Sequence, residues 1–260
     1  MDSDLGVVVG TGIGGQRNIA EALESNGFRT TGVKQLWPRD HYVHSNEEYV
    51  KNNSPGFIDG NPFAEGGNIL LGDGFLLVSD LAYMREQILK QLPQKITRKQ
   101  IPEIEQVLKL EGQKHFPRTR IYIAPTGYFH GGKGHSHIDM FSLLCPRKKL
   151  LILDTFYGKG AGTAREYDSI ADKEGLRLLR YDGSQDGVWY PLNSLVLDVD
   201  KRDVVAVDDR AVSLIRLLDR EGIRTISTKM PQHPFPAGKV RCQTNTYNIG
   251  TDTKTLMTGI

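Results

Sequence analysis

Ser194-Leu-Val-Leu-Asp-Val-Asp-Lys-Arg-Asp-Val-Val-Ala-Val-Asp208 carries two short apolar runs joined by a polar turn and closed by an aspartate. Such a run, turn, run pattern with charged turn residues reads as a β-hairpin. A helical stretch follows from Ala211 to Glu221. Its apolar face is expected from Val212, Ile215, Leu217 and Leu218, with Gly222 as the stop. A further strand is expected over Arg224 to Met230. The unit is therefore strand, strand, helix, strand.

The same plan occurs twice more upstream. Met140-Phe-Ser-Leu-Leu-Cys-Pro-Arg-Lys-Lys-Leu-Leu-Ile-Leu-Asp154 is a hairpin around Pro-Arg-Lys-Lys, followed by a helix over Thr163 to Glu174 and a strand over Leu176 to Tyr181. Asn68-Ile-Leu-Leu-Gly-Asp-Gly-Phe-Leu-Leu-Val-Ser-Asp80 is a hairpin around Gly-Asp-Gly. Helical stretches over Leu81 to Leu92 and Ile101 to Leu110 and a strand over Arg120 to Ala124 complete it. Near the start, Gly6 to Gly10, Asn18 to Ser25 and Phe28 to Val33 supply a strand, a helix and a strand, and Arg241 to Ile249 could complete that split unit. At about 50 residues per unit the chain has room for about five. Units this short cannot bury a core alone, so stacking or ring closure is expected. No Pro/Gly/Ser-rich linker divides the chain, and residues 1–260 read as a single domain.

Composition narrows the function classes. Lys plus Arg number 33 and Asp plus Glu 31, giving a net charge of +2. That balance provides no whole-molecule field for nucleic acid or an anionic membrane. No apolar run approaches the roughly 20 residues of a membrane helix, and Met1-Asp-Ser-Asp-Leu5 lacks the marks of a signal peptide. With 2 cysteines, a disulfide-stapled secreted domain is excluded. The expectation is a cytoplasmic enzyme or binding protein.

Several short motifs carry chemistry. Gly10, Gly12 and Gly15 fit a dinucleotide fingerprint, but the next strand runs into Lys34-Gln35 where a ribose-binding acid should stand. A tight strand-to-helix turn is the better reading. His135-x-His137-x-Asp139 resembles the first part of a metallo-β-lactamase-type metal motif, although Met140 stands where that motif has His. Zinc needs three or four ligands, and His41, His44, His115, His130 and His233 show no comparable clustering. The alternative makes His137 a general acid/base, with Asp139 on the same face of an extended strand. Cys145 ends an apolar run and reads as a small buried hydrophobe. Cys242 lies beside Lys239 and Arg241, and neighbouring positive charge raises a thiol's thiolate fraction.

Taken in order, Trp37-x-Arg39-Asp40, Glu65-Gly66-Gly67-Asn68, Gly134-His135-x-His137-x-Asp139 and Gly238-x-x-Arg241-Cys242 resemble the guanidino-group-modifying enzymes. These are the pentein superfamily of arginine deiminases, agmatine deiminases, dimethylarginine dimethylaminohydrolases and amidinotransferases. The resemblance implies an α/β fold, the pentein α/β-propeller, a fivefold pseudo-symmetric ring of strand-strand-helix-strand units with its site on the axis. It implies Cys242 as nucleophile, His137 as acid and base, and Glu65 orienting His137. Asp40 and Asp139 would grip the guanidinium, which planar carboxylates do bidentately. Arg39 and Arg241 are among the arginines that could anchor a substrate carboxylate.

The implied activity is hydrolysis of arginine or a close derivative through a Cys-thiouronium intermediate, giving a ureido product such as citrulline plus ammonia or amine. Transfer of the amidino group to an amine acceptor is the alternative. A metal-dependent hydrolase and a non-catalytic pentein binding protein are the remaining classes. No metal or organic cofactor is required. The expected partners are a small cationic guanidino substrate and a second copy in a homodimer, with no nucleic acid and no membrane. Within the superfamily the signals divide: Trp37-Pro-Arg-Asp40 leans toward agmatine deiminases, and Arg241 before Cys242 toward arginine deiminase.

Overall fold

The structure, a computed structural model, describes residues 5–10, 16–34, 38–40, 42–45, 48–51, 63, 66–80, 101–126, 137–230, 239–249 and 251. The described chain begins with β1 (Leu5–Gly10), α1 (Gln16–Glu24) and β2 (Arg29–Val33), followed by the short pair β3 (Tyr42–Ser45) and β4 (Glu48–Lys51). Next come β5 (Ile69–Leu71), β6 (Phe75–Ser79), α2 (Ile101–His115) and β7 (Arg120–Ala124). Then follow β8 (Ser142–Cys145), β9 (Leu150–Asp154), α3 (Arg165–Glu174) and β10 (Arg177–Tyr181). The last are β11 (Leu195–Val199), β12 (Arg202–Asp208), α4 (Val212–Arg220), β13 (Arg224–Thr228) and β14 (Thr244–Asn248).

These strands form five small sheets, ordered β14-β1-β2, β3-β4, β5-β6-β7, β8-β9-β10 and β11-β12-β13. In each three-stranded sheet the middle strand pairs antiparallel with one neighbour and parallel with the other. The parallel partner is reached across a helix. The strand-strand-helix-strand unit expected from the sequence is thus present, and the split first unit is completed by β14, where Leu5 lies opposite Asn248.

The middle strands are apolar on both faces, and the packing explains why. Val204 and Ala206 enter a cluster with Val7, Val9, Ile19 and Leu23, while Val205 and Val207 enter a different one with Leu143, Ile152 and Leu214. Along β9, Leu150 and Ile152 face that second cluster, and Leu151 and Leu153 face a third with Leu70, Leu77 and Phe141. Along β6, Phe75 and Leu77 face the third, and Leu76 and Val78 face a fourth with Val43 and Ile69. Val8 meets Tyr42 and Tyr247 in a fifth. Strand side chains alternate at period two, so each sheet buries one face against each neighbour. The five clusters are the five contacts of a circle of sheets. Each sheet keeps open edges, and among the described residues no strand pairing joins one sheet to the next.

Some element boundaries differ from the sequence expectation. α2 runs to His115, five residues beyond the expected end. In α4 the buried residues are Leu214 and Leu218, with Ile215 and Leu217 partly buried, while Val212 in the first turn is 46% exposed. That helix ends as expected at Gly222, whose φ of +66° lets Ile223 N–H reach Leu218 O at 2.9 Å. Residues 11–15 and the expected helix over 81–92 lie outside the described residues.

The β11–β12 turn puts Asp200 at φ +51° and Lys201 at φ +60°, both in the left-handed region. Two consecutive positive φ values mark a type I′ turn, which favours Gly at its second position. Lys201→Gly is expected to raise the urea midpoint with an unchanged m-value, a gain of about 0.5–1 kcal/mol once glycine's extra chain entropy is set against relief of the strain. An unchanged or lower midpoint would mean that the turn holds no such strain.

Candidate active site

Each unit enters its first strand through a short turn, and the five turns meet at the centre of the ring. They are Pro38–Asp40 before β3, Gly66–Asn68 before β5, Ile138–Met140 before β8, Tyr190 to Ser194 before β11, and Lys239 to Gln243 before β14. The described residues of each of the four sequence motifs therefore occupy the same structural position in their own units.

Cys242 lies in the last of these turns, closed by Gln243 N–H to Lys239 O at 3.2 Å and Thr244 N–H to Arg241 O at 3.1 Å. Its side chain is buried, 7% exposed. The sulfur is 3.2 Å from Asn193 Nδ2 and 3.7 Å from Asp139 Oδ2. Asn193 does more than touch the thiol. Its Oδ1 accepts the backbone N–H groups of Lys239 at 2.8 Å and Cys242 at 3.2 Å, and its Nδ2 donates to Asp139 O at 3.2 Å. One fully buried amide thus fixes the cysteine turn against the aspartate turn.

Asp139 is fully buried. Its Oδ2 accepts from Arg241 Nη1 at 3.0 Å, and its Oδ1 has no hydrogen-bond partner among the described residues. The same arginine donates to Gly66 O at 3.0 Å and Ile69 O at 2.8 Å. Arg241 thus holds three acceptors from two other turns of the ring. Arg39 is also buried, and burial together with the nearby Arg241 charge lowers its guanidinium to about 9. Lys239, which the sequence placed beside the thiol, instead reaches Asp208 Oδ2 at 3.3 Å.

His137 and Asp139 do not share a strand. Met140 N–H bonds to His137 O at 3.1 Å and Phe141 N–H to Ile138 O at 3.3 Å, so the chain makes a 3-10 turn before β8 begins at Ser142. The turn directs Asp139 into the centre, while His137 is half-buried against unit three. The glycine pair explains that contact. A Cβ at Gly67 would overlap His137 Nδ1, and a Cβ at Gly66 would overlap Arg39 Cδ. Close approach, not positive φ, is what these glycines provide. Glu65, Trp37, His41 and His135 lie outside the described residues, as does the side chain of Asp40.

Aromatic rings complete the thiol's surroundings. Met140, Tyr157, Tyr190 and Cys242 form one buried cluster with Trp189 packed against it. The Tyr157 and Tyr190 ring centroids are 4.8 Å apart. Tyr157 is held by an Asp154 cap: Oδ1 accepts from Phe156 N–H at 2.8 Å, Tyr157 N–H at 3.1 Å and Gly183 N–H at 3.1 Å. Burial pushes the Tyr157 hydroxyl up to about 12, so it stays protonated at neutral pH. Among the described residues no group of three His, Cys, Asp or Glu side chains is placed to hold a metal ion. No helix among them is long and apolar enough to cross a membrane.

Asn193 is the residue that motif reading misses. Amides carry little chemical signal alone. The signal available was positional, because Asn193 stands two residues before β11 as Cys242 stands two before β14.

No protein-family profile matches the sequence, and no curated protein matches it. Solved structures do match. The dimethylarginine dimethylaminohydrolase of Pseudomonas aeruginosa, in a cysteine-to-serine variant complexed with citrulline, superposes with a TM-score of 0.60 at 9% identity. The match covers 93% of this chain and 98% of that one. A dimethylarginine dimethylaminohydrolase adduct with S-methyl-L-thiocitrulline gives 0.57 at 10% identity, with the same 93% and 98% coverage. The cyanobacterial arginine dihydrolase ArgZ gives 0.59 at 11% identity, covering 93% of this chain and 39% of that one. With five sheets in a ring and their entry turns gathered at its centre, the chain has the pentein fold, the α/β-propeller of these dimethylarginine dimethylaminohydrolases and of the arginine dihydrolase.

Proposed function

We propose that residues 1–260 form one catalytic domain that hydrolyses a guanidino compound, arginine or a close derivative, to a ureido product such as citrulline with release of ammonia or amine. One observation carries the reading. A cysteine sulfur lies 3.7 Å from a fully buried carboxylate whose second oxygen, Asp139 Oδ1, is without a partner among the described residues. A buried, unsatisfied acceptor is costly unless a donor arrives, and a guanidinium brings planar N–H donors together with an electrophilic carbon. Since Arg241 holds Oδ2, Asp139 offers a single oxygen rather than the bidentate grip expected from the sequence.

In this reading the Cys242 thiolate attacks the guanidinium carbon. The C–N bond to the departing nitrogen breaks as His137 gives that nitrogen a proton, leaving a thiouronium on sulfur. His137 then takes a proton from water, whose oxygen attacks the same carbon, and the C–S bond breaks to return the thiolate. The net change is guanidinium plus water to ureido product plus ammonium or amine. Asn193 Nδ2 stabilises the sulfur's negative charge by donating to it, which offsets the repulsion of Asp139. The faces of Tyr157, Tyr190 and Trp189 offer the cation a low-dielectric wall. Glu65 and Asp40 complete the proposed set, as the sequence resemblance implies.

The test is incubation of the protein with arginine, agmatine, methylated arginines and guanidino acids, assaying ureido product and released ammonia or amine. Product from one class, absent in Cys242→Ser, is expected. Product that persists in Cys242→Ser would remove the thiol from the mechanism. Ureido product from none of them, with no amidino transfer to added amines, would leave a binding protein.

Two substitutions test the geometry. Gly67→Ala should displace the His137 ring and lower kcat about 100-fold, with KM changed only a few-fold, since misplacement by about 1 Å costs that much. A kcat within twofold of wild type would show that His137 does not act from this position. Asn193→Asp keeps the shape but puts a carboxylate where the Nδ2 donor was. The pH midpoint of iodoacetamide alkylation at Cys242 should then rise by about one unit or more. An unchanged midpoint would show that the amide contributes nothing to the thiolate.

A further inference from the structure

A second compartment lies on the ring axis, beyond the site. Its cavity is about 310 Å³, and all five inner strands contribute to its wall: His44, Leu70, Leu143, Val196 and Thr246. Arg39 and Arg241 also line it. Cys242, His137 and Asp139 do not. The two arginines therefore stand between the thiol on one side and this cavity on the other.

Their situations differ. Arg241 spends its guanidinium on Asp139, Gly66 and Ile69. Arg39 is 7% exposed and makes a single hydrogen bond among the described residues, from Nε to Arg241 O at 3.5 Å. A guanidinium carries five N–H donors, so most of Arg39's capacity is unspent. No described carboxylate lies within ion-pair distance of it. Asp139 attracts Arg39 while Arg241 repels it, so two buried guanidiniums share this one carboxylate. Burying charge in excess is expensive, and a cavity beside it is where a counter-charge could sit. Leu70, Leu143 and Val196 supply apolar wall between these charged groups.

The acids lining the cavity come from the β5–β6 turn and from the strand ends beside the β11–β12 turn. Asp198 pairs with Arg147 at 2.6 Å, Asp203 accepts Lys148 N–H at 2.8 Å, and Asp73 sits in the exposed β5–β6 turn. His44 meets Thr246 Oγ1 through Nδ1 at 3.1 Å and stacks on Tyr49. The net positive end of the cavity is thus its inner end, at Arg39.

We infer that this axial cavity is a binding site for a small inorganic anion, such as a halide, nitrate or phosphate, held by the Arg39 guanidinium. The ion neutralises Arg39 from behind and so stiffens the centre on which Asp139 and Cys242 depend. The inference stands apart from the hydrolase reading, because its readout needs no substrate.

Two measurements on the full chain test it. The first follows Tm against sodium phosphate and sodium nitrate at constant ionic strength, in wild type, Arg39→Met and Val196→Phe. The last narrows the cavity and keeps the arginine. A saturable rise of about 5 °C at some thirty times the dissociation constant is expected in wild type and in neither variant. The second is anomalous diffraction from crystals soaked in sodium bromide, which needs no variant. A bromide peak beside Arg39 supports the site. Bromide peaks at the surface with none in the cavity, or a Tm slope that is linear and equal in all three proteins, would overturn it.

Discussion

A single arginine side chain knots the centre of this ring. Arg241 comes from the turn before β14, yet its guanidinium donates to two backbone carbonyls of unit three and to a carboxylate of unit four. Three of the five units are thereby joined at one planar group. The Coulombic gain of such a buried pair is largely cancelled by desolvation, so its worth lies in geometry. Five sheets packed only through apolar clusters could slide by small amounts. Fixed, directional N–H bonds at the axis restrict that sliding and set where the neighbouring Cys242 and Asp139 stand.

That constraint also shows how a nearly neutral protein can build a charged centre. The chain's charges sum to +2, yet Arg39, Arg241 and Asp139 are all more than nine-tenths buried around one thiol. Asn193 supplies the neutral part of the same network: its one amide satisfies two backbone donors, one carbonyl and the sulfur. Removing any one of these groups strands the others in low dielectric. The centre is specified as a set rather than residue by residue.

The fold was largely legible because its hairpins advertise themselves through turn chemistry and through middle strands that are apolar at every position. Val204 to Val207 could only be that apolar if both faces were covered. The entry turns were harder. Ile138–Met140 resembles the head of a strand in sequence, because Ile, Met and Phe141 continue the apolar run, but the chain must bend there to reach the axis. The motifs singled out Cys242, Asp139 and His137 through their chemistry, and the structure brings Cys242 and Asp139 within 3.7 Å of each other. They missed Asn193, whose role comes from its place in the repeat. They placed Arg241 and Lys239 near the thiol, but a sequence does not show that each already has a carboxylate.

The pairing of β1 with β14 has a consequence for synthesis at the ribosome. Val9 cannot find its antiparallel partner Thr244 until more than two hundred intervening residues have been made. Units three, four and five contain their own partners and can form as they emerge, whereas the first strand must wait with one edge bare. Cys242 lies two residues before that late strand. The thiol is therefore brought to the axis by the very step that closes the circle, so an incomplete nascent chain carries no assembled centre.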